Sequence, residues 1–166
     1  MTTTDQFVIR EFTEQDRDAV NASIRELQDH ERRIEPRMKH TDTIIDTCLD
    51  TLLAHCAEKQ GAILVAETSG KVAGYVCVHA RVANDDPDEI DYDYAYVVDL
   101  AIDQAHRGQG MGSALLAAAE RYAVDHGARC LRISALAGND GAVKLYQRTG
   151  FAPRVIELEK TLGSDP

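Results

Sequence analysis

The sequence predicts an α/β fold: one domain built on a mixed sheet of about six to seven strands flanked by helices. Three observations predict it. Apolar residues recur at period two in some stretches and near period 3.6 in others, in the chain order βααβββαβαβ. Two strand-like stretches meet at a tight Ser69-Gly70 turn, so they pair antiparallel. A later strand–helix–strand run calls for a parallel crossover.

Phe7 to Phe12 alternates, with Phe7, Ile9 and Glu11 on one face and Val8, Arg10 and Phe12 on the other; it reads as the first strand. Thr13 resembles an N-cap with Asp16 three residues on. From Glu14 to about His30, Ala19, Val20, Ile24 and Leu27 recur at helical spacing. Glu31 to His40 is charged and broken by Pro36, and reads as a join. A second helix is expected from about Asp42 to Lys59, with Leu49, Leu52 and Cys56 among its inner residues.

Gln60-Gly61 ends that helix, and Ala62 to Glu67 is a buried type of strand with Val72 to Arg81 as its hairpin partner. The acidic, proline-containing run from Asn84 begins as a loop, and Tyr94 to Ile102 is the third central strand. A helix from about Gln109 to His126 stops at Gly127. Cys130 to Ala135 is a strand, Asn139 to Thr149 a short helix with Gly150 as its C-cap, and Val155 to Lys160 a last strand.

The chain has 166 residues, 44% apolar and 28% charged, enough for one sizeable core. The reading is one domain over 1–166 with a structured core of about 7–160. No run of about 18 apolar residues is present to span a membrane. MTTTDQFVIREF lacks the basic and apolar regions of a secretion signal, so a cytoplasmic protein is expected. A formal charge of −10 argues against nucleic-acid and anionic-membrane partners. Cys48, Cys56, Cys77 and Cys130 show no CxxC pair and no zinc spacing, and read as ordinary reduced thiols; no metal is expected.

The chemistry lies in AHRGQGMGSALLAAAERYA, Ala105 to Ala123, where three glycines in five residues precede a helix. Glycine disfavours helix, so a cluster at a helix start needs a reason. First-turn N–H groups lack an intrahelical partner and the helix dipole adds positive charge there. Bare glycines let a diphosphate approach them, and Arg107 adds a full charge. A Walker loop fails because no lysine follows the glycines. The dinucleotide pattern fails because Ser113 stands at its third glycine and the next strand ends Ile133, Ser134, Ala135 without an acid.

Arg107-Gly108-Gln109-Gly110-Met111-Gly112 fits a third pattern, [QR]xxGx[GA], and the sequence here resembles the GNAT superfamily of acyl-CoA-dependent N-acetyltransferases. VVDLAIDQAHRGQGMGSALL is similar to that family's strand, loop and helix around the coenzyme pyrophosphate, and NDGAVKLYQRTGF, Asn139 to Phe151, to its NxxAxxLYxxxGF motif. The element order is also the family's.

The resemblance implies the acyl-CoA N-acyltransferase fold, acetyl-CoA as co-substrate and acetyl transfer to a primary amine by direct attack. It implies that main-chain groups of Leu100, Ala101 and Ile102 meet the pantetheine arm. It implies that Arg107, Gly108, Gln109, Gly110, Met111, Gly112 and Ser113 hold the pyrophosphate, with Asn139 beside them. It implies that Tyr146 faces the sulfur and serves the leaving thiolate.

Relatives often carry a glutamate base on the central strand. The matching face here holds Tyr96, Val98 and Leu100, with no carboxylate, while Asp99 has the opposite alternation. Asp99 is the candidate base, with Asp91, Asp93, Tyr96, Glu31, His30 or a water relay as alternatives. For the acceptor, Glu31, Glu35 and Tyr96 are candidate contacts, and the acidic loop Asp85 to Asp93 a candidate rim that favours amines. The expected partner is a small-molecule or peptide amine, and a homodimer stays open. A non-catalytic acyl-CoA sensor on the same fold is the alternative reading.

Overall fold

The structure, a computed structural model, describes residues 7–162. The polar stretch 1–6, part of the reading against a secretion signal, lies outside the described residues. The elements are β1 (Val8–Glu11), α1 (Arg17–Ile34), α2 (Ile45–Glu58), β2 (Ala62–Thr68), β3 (Lys71–Ala83), β4 (Asp93–Ile102), α3 (Met111–Asp125), β5 (Leu131–Ile133) and α4 (Asp140–Arg148). One-turn 3₁₀ helices precede α1, α2 and α3.

The sheet runs β1-β2-β3-β4-β5 in space, antiparallel from β1 to β4 and parallel between β4 and β5. Alternation along the strands divides the core in two. Leu64, Ala66, Val76 and Val78 face α3, where Met111, Leu115 and Ala119 cover them. Ile63, Val65, Tyr75 and Cys77 face α1 and α2, meeting Val20, Ile24, Leu49 and Leu52. Each buried Val, Leu, Ile or Met among them contributes about 1.5–3 kcal/mol by leaving water.

Thr13 and Asp16 join as the local pattern suggests: the Thr13 N–H donates to Asp16 Oδ2 at 2.8 Å. Arg10 then grips Asp16 through both terminal nitrogens, at 2.7 and 2.9 Å, and donates to Glu67 at 2.7 Å. This bridges β1, β2 and the start of α1. The Arg10 hydrogen bond is the main reason the Asp16 carboxyl sits down at about 2.

Two expectations are corrected. The sheet has five strands, not six to seven: Val155 to Lys160 forms no ladder, and Val155, Ile156 and Leu158 are exposed. Strand-like composition makes a strand only beside a neighbour that takes its N–H and C=O groups, and this segment has none among the described residues. Secondly, α1 does not end near His30 but continues to Ile34. Glu31, Arg32 and Arg33 are good helix formers, and Pro36 restricts only the residue before it. Glu35 is accordingly the C-cap, at φ −124° and ψ 89°. The longer helix brings Ile34 against Gly138, at the far wall of the cavity described next. No described helix is long and apolar enough to cross a membrane.

Candidate active site

β4 pairs with β5 only at Ala95–Val97, opposite Leu131–Ile133. Beyond Val97 the two strands part, and Val98 to Ile102 has only β3 as a neighbour. The edge so exposed runs into a cavity of about 890 Å³. Leu100, Ala101 and Ile102 form its floor, α1 one wall, and the starts of α3 and α4 the other. That volume suits a large organic ligand.

The loop after β4 closes one end. Gly108 and Gly110 have φ of +77° and +84°, left-handed conformations that side chains resist. A Cβ at either would meet nothing within 4 Å, so it is the backbone turn and the open approach that require glycine here, not crowding. Gly110 is the N-cap of α3 and supplies no capping side chain. The first-turn amides of Met111, Gly112 and Ser113 therefore remain available, and these three residues line the cavity. Arg107 also lines it, but its guanidinium is committed: it donates to Ile102 O at 2.9 Å and pairs with Glu26 at 2.8 Å. Gln109 turns away, donating to Ala105 O at 3.2 Å, and is not among the lining residues.

Asn139 caps α4 by accepting the Ala142 N–H at 3.2 Å and also lines the cavity. Tyr146, on the inner face of α4, packs near Phe151 with ring centres 6.0 Å apart. Burial pushes its phenol up to about 12, with Glu31 and Asp99 adding to the shift. The hydroxyl therefore keeps its proton near neutral pH.

Asp99 points to the α1/α2 side, opposite Leu100; an irregularity in the β3–β4 register puts Val98 on that side too, so the single face expected for Tyr96, Val98 and Leu100 does not hold. Asp99 accepts a hydrogen bond from Tyr75 at 3.2 Å. Burial raises its pKa, while the Tyr75 bond works in the opposite direction. Glu31 is raised by burial and by the charge of Asp99. Two carboxylates thus sit within electrostatic reach of each other and of Tyr146.

Neither Asp99 nor Glu31 lines the cavity itself, nor do Glu35 and Tyr96. Glu35 pairs with Arg37 at 2.6 Å. Tyr96 shares a 2.6 Å hydrogen bond with Ser134. In the acidic loop, Asp93 pairs with Arg81 and Glu89 with Arg154, and none of Asp85 to Asp93 reaches the cavity lining. His30, an alternative base, does line it.

Sequence reasoning missed Glu26 and Leu27 on α1 and Arg148 on α4, all of which face the cavity. Arg148 has no carboxylate within 4 Å among the described residues. The helical spacing of Leu27, His30 and Ile34 was the available signal for the α1 wall, obscured by ending that helix too early.

Solved structures share this fold. A mutant of the BH1408 protein from Bacillus halodurans matches with a TM-score of 0.83 at 21% identity, over 93% of this chain and 99% of that one. The aminoglycoside acetyltransferase AAC(6')-Iy, in complex with a CoA bisubstrate analogue, matches at 0.64 and 17%, over 95% and 99%. The sequence carries the membership itself: the model of the Acetyltransferase (GNAT) family matches residues 22–151, and the chain belongs to that family.

Among curated relatives, the uncharacterized N-acetyltransferase MJ1207 of Methanocaldococcus jannaschii is 29% identical over 98 residues, 58% of this chain and 42% of that protein. The mycothiol acetyltransferase of Corynebacterium efficiens is 42% identical over 67 residues, 39% of this chain and 22% of that protein. The chain spans less than two thirds of the length of these relatives.

Proposed function

We propose that this protein is a single-domain N-acetyltransferase that moves acetyl from acetyl-CoA to a primary amine by direct attack in a ternary complex. One observation carries the reading. The unpaired edge of β4 from Val98 to Ile102 leads straight to the uncapped amides of α3, within one cavity. A pantetheine arm is a chain of amides and pairs with a strand edge as another strand would. A pyrophosphate suits bare first-turn amides at the positive end of a helix dipole.

In this reading, Leu100, Ala101 and Ile102 bind the arm through the backbone. Gly108, Gly110, Met111, Gly112 and Ser113 hold the diphosphate, with Arg107 and Gln109 shaping the loop around it. Asn139 borders the coenzyme. Asp99, set back from the cavity lining, takes the proton of the incoming ammonium through a water relay, and the nitrogen then attacks the thioester carbonyl. The C–N bond forms, the C–S bond breaks, and the second proton on the nitrogen passes to the departing thiolate or to solvent. Tyr146 meets the departing thiolate and, held protonated by burial, stabilises it by donating a hydrogen bond. The remaining acceleration comes from positioning.

The acceptor in this reading is a small-molecule or peptide amine, with Glu31 and Asp99 acting on it only through their field, since neither lines the cavity. Small amines are consistent with the aminoglycoside named for one structural neighbour. We place the protein in the cytoplasm, where its four free thiols stay reduced. A homodimer is part of the proposal: the exposed apolar run Val155, Ile156 and Leu158 follows a sheet whose β5 edge is open, and a second copy is the partner that suits both. The deciding experiment measures melting with acetyl-CoA, CoA and NAD, then thiol release against a panel of amines. Stabilisation by the two coenzyme A forms and turnover on an amine are expected. Stabilisation by NAD alone would overturn the proposal.

A further inference from the structure

Outside the cavity, the fold assembles a second group of chemically active side chains. Cys56 lies in the last turn of α2, and Cys77 and His79 lie two apart on β3, on the same face of the strand. All three are buried, at 7%, 0% and 5% exposure. The two sulfurs are 3.6 Å apart. Both sulfurs and a ring nitrogen of His79 lie within 4.8 Å of one another.

Two further features mark this as more than thiol packing. His79 Nε2 is buried and has no hydrogen-bond partner among the described residues, an unfavourable state for a ring nitrogen in the core. Gly61 closes the group from the side. Its N–H donates to Cys56 O at 2.7 Å, and a Cβ there would come within 3.1 Å of both the Cys56 backbone and the His79 ring. His55 stands at the solvent edge, its ring edge-on to His79 at 6.1 Å.

We propose that Cys56, Cys77 and His79 form a zinc site, with His55 or water in the fourth position. Two sulfurs on a tetrahedral zinc, each at roughly 2.3 Å, stand about 3.8 Å apart, close to the separation already present. Two thiolates and a neutral imidazole suit a borderline-soft divalent ion. Their two negative charges cancel those of the ion, so the occupied site is neutral in the core. Binding releases two thiol protons to solvent, with no change of oxidation state. The ion would clamp the end of α2 to the middle of β3, and its role is structural. None of its residues lines the cavity, and the nearest link to the candidate active site is the cross-strand pairing of Cys77 with Asp99.

The test uses the full chain without a histidine tag, reduced and stripped with chelator. Zinc sulfate is titrated against a chromogenic chelator, and cobalt chloride is used separately as a spectroscopic probe. One ion per chain, a rise in melting temperature with zinc, and the intense visible bands of tetrahedral thiolate-bound cobalt are expected. Cys56→Ser and Cys77→Ser should each weaken binding by more than the roughly 10–100-fold that loss of an outer partner costs. If Cys77→Ser fails to fold, the wild-type cobalt spectrum decides: its thiolate-to-cobalt charge-transfer band should report two thiolates per ion. A reduced wild-type protein that takes up no stoichiometric zinc, binds it equally in both variants, or instead joins Cys56 to Cys77 as a disulfide would overturn the site.

Discussion

The Tyr75 hydroxyl donates to Asp99 Oδ2 across 3.2 Å, and this bond orients the only carboxylate on the central strand between Val97 and Ile102. It fixes Asp99 on the side of the sheet that carries α1, where Glu31 shares its field. If Asp99 is the base, Asp99→Asn should lower kcat by about 10²-fold or more while coenzyme affinity stays constant. Tyr75→Phe, which keeps the carboxylate and removes its anchor, should fall between this variant and wild type. Steady-state kinetics with a responsive amine checks both, and a wild-type rate in Asp99→Asn removes the residue from the mechanism.

Tyr146→Phe deletes one hydroxyl and little volume. A hydrogen bond to a developing thiolate is worth about 2 kcal/mol, so kcat should drop roughly 30-fold with the coenzyme Kd unchanged. Equal losses in rate and affinity would assign Tyr146 to binding alone.

Gly110→Glu separates folding from binding. Open space surrounds a Cβ at this position, so the cost to the fold is the positive φ, about 1 kcal/mol, or some 2–4 °C of melting temperature. The added carboxylate would meet a diphosphate on the α3 amides. Calorimetry should find coenzyme binding abolished in a folded protein.

Asp16 ties stability to acid. Its pKa is depressed in the fold, chiefly by Arg10, so it stabilises the native state fully above its unfolded value near 4. That contribution, about 2 kcal/mol, is lost as pH falls from about 4 through about 2. Urea unfolding of Asp16→Asn should show the loss at pH 7 and a smaller difference from wild type at pH 2.

Leu158→Asp probes association. Leu158 is 90% exposed in the single chain, so the substitution should leave its melting unaffected at low concentration. Light scattering should show wild type as a dimer and the variant as a monomer. A monomeric wild type would remove the homodimer from the proposal.

The loop and the last helix were legible because their reasons are local. Glycine at 108 and 110 answers a backbone need, and Asn139 three residues before Ala142 is a cap wherever it occurs. The α1 wall was only half legible, since charged residues that continue a helix look like a solvated join until Ile34 is seen against Gly138. The fate of Val155 to Lys160 was not legible, because being a strand depends on a neighbour rather than on composition.

By itself, the sequence determined the α/β order, the buried strand faces and the glycine turn that opens α3, since periodicity, chirality and capping act over a few residues. Only the tertiary structure decided where β4 parts from β5, which side of the sheet Asp99 occupies, that Arg107 is held by Glu26, and that Cys56 meets Cys77 and His79. Those relationships join residues 20 or more positions apart, and only packing of the whole chain sets such distances.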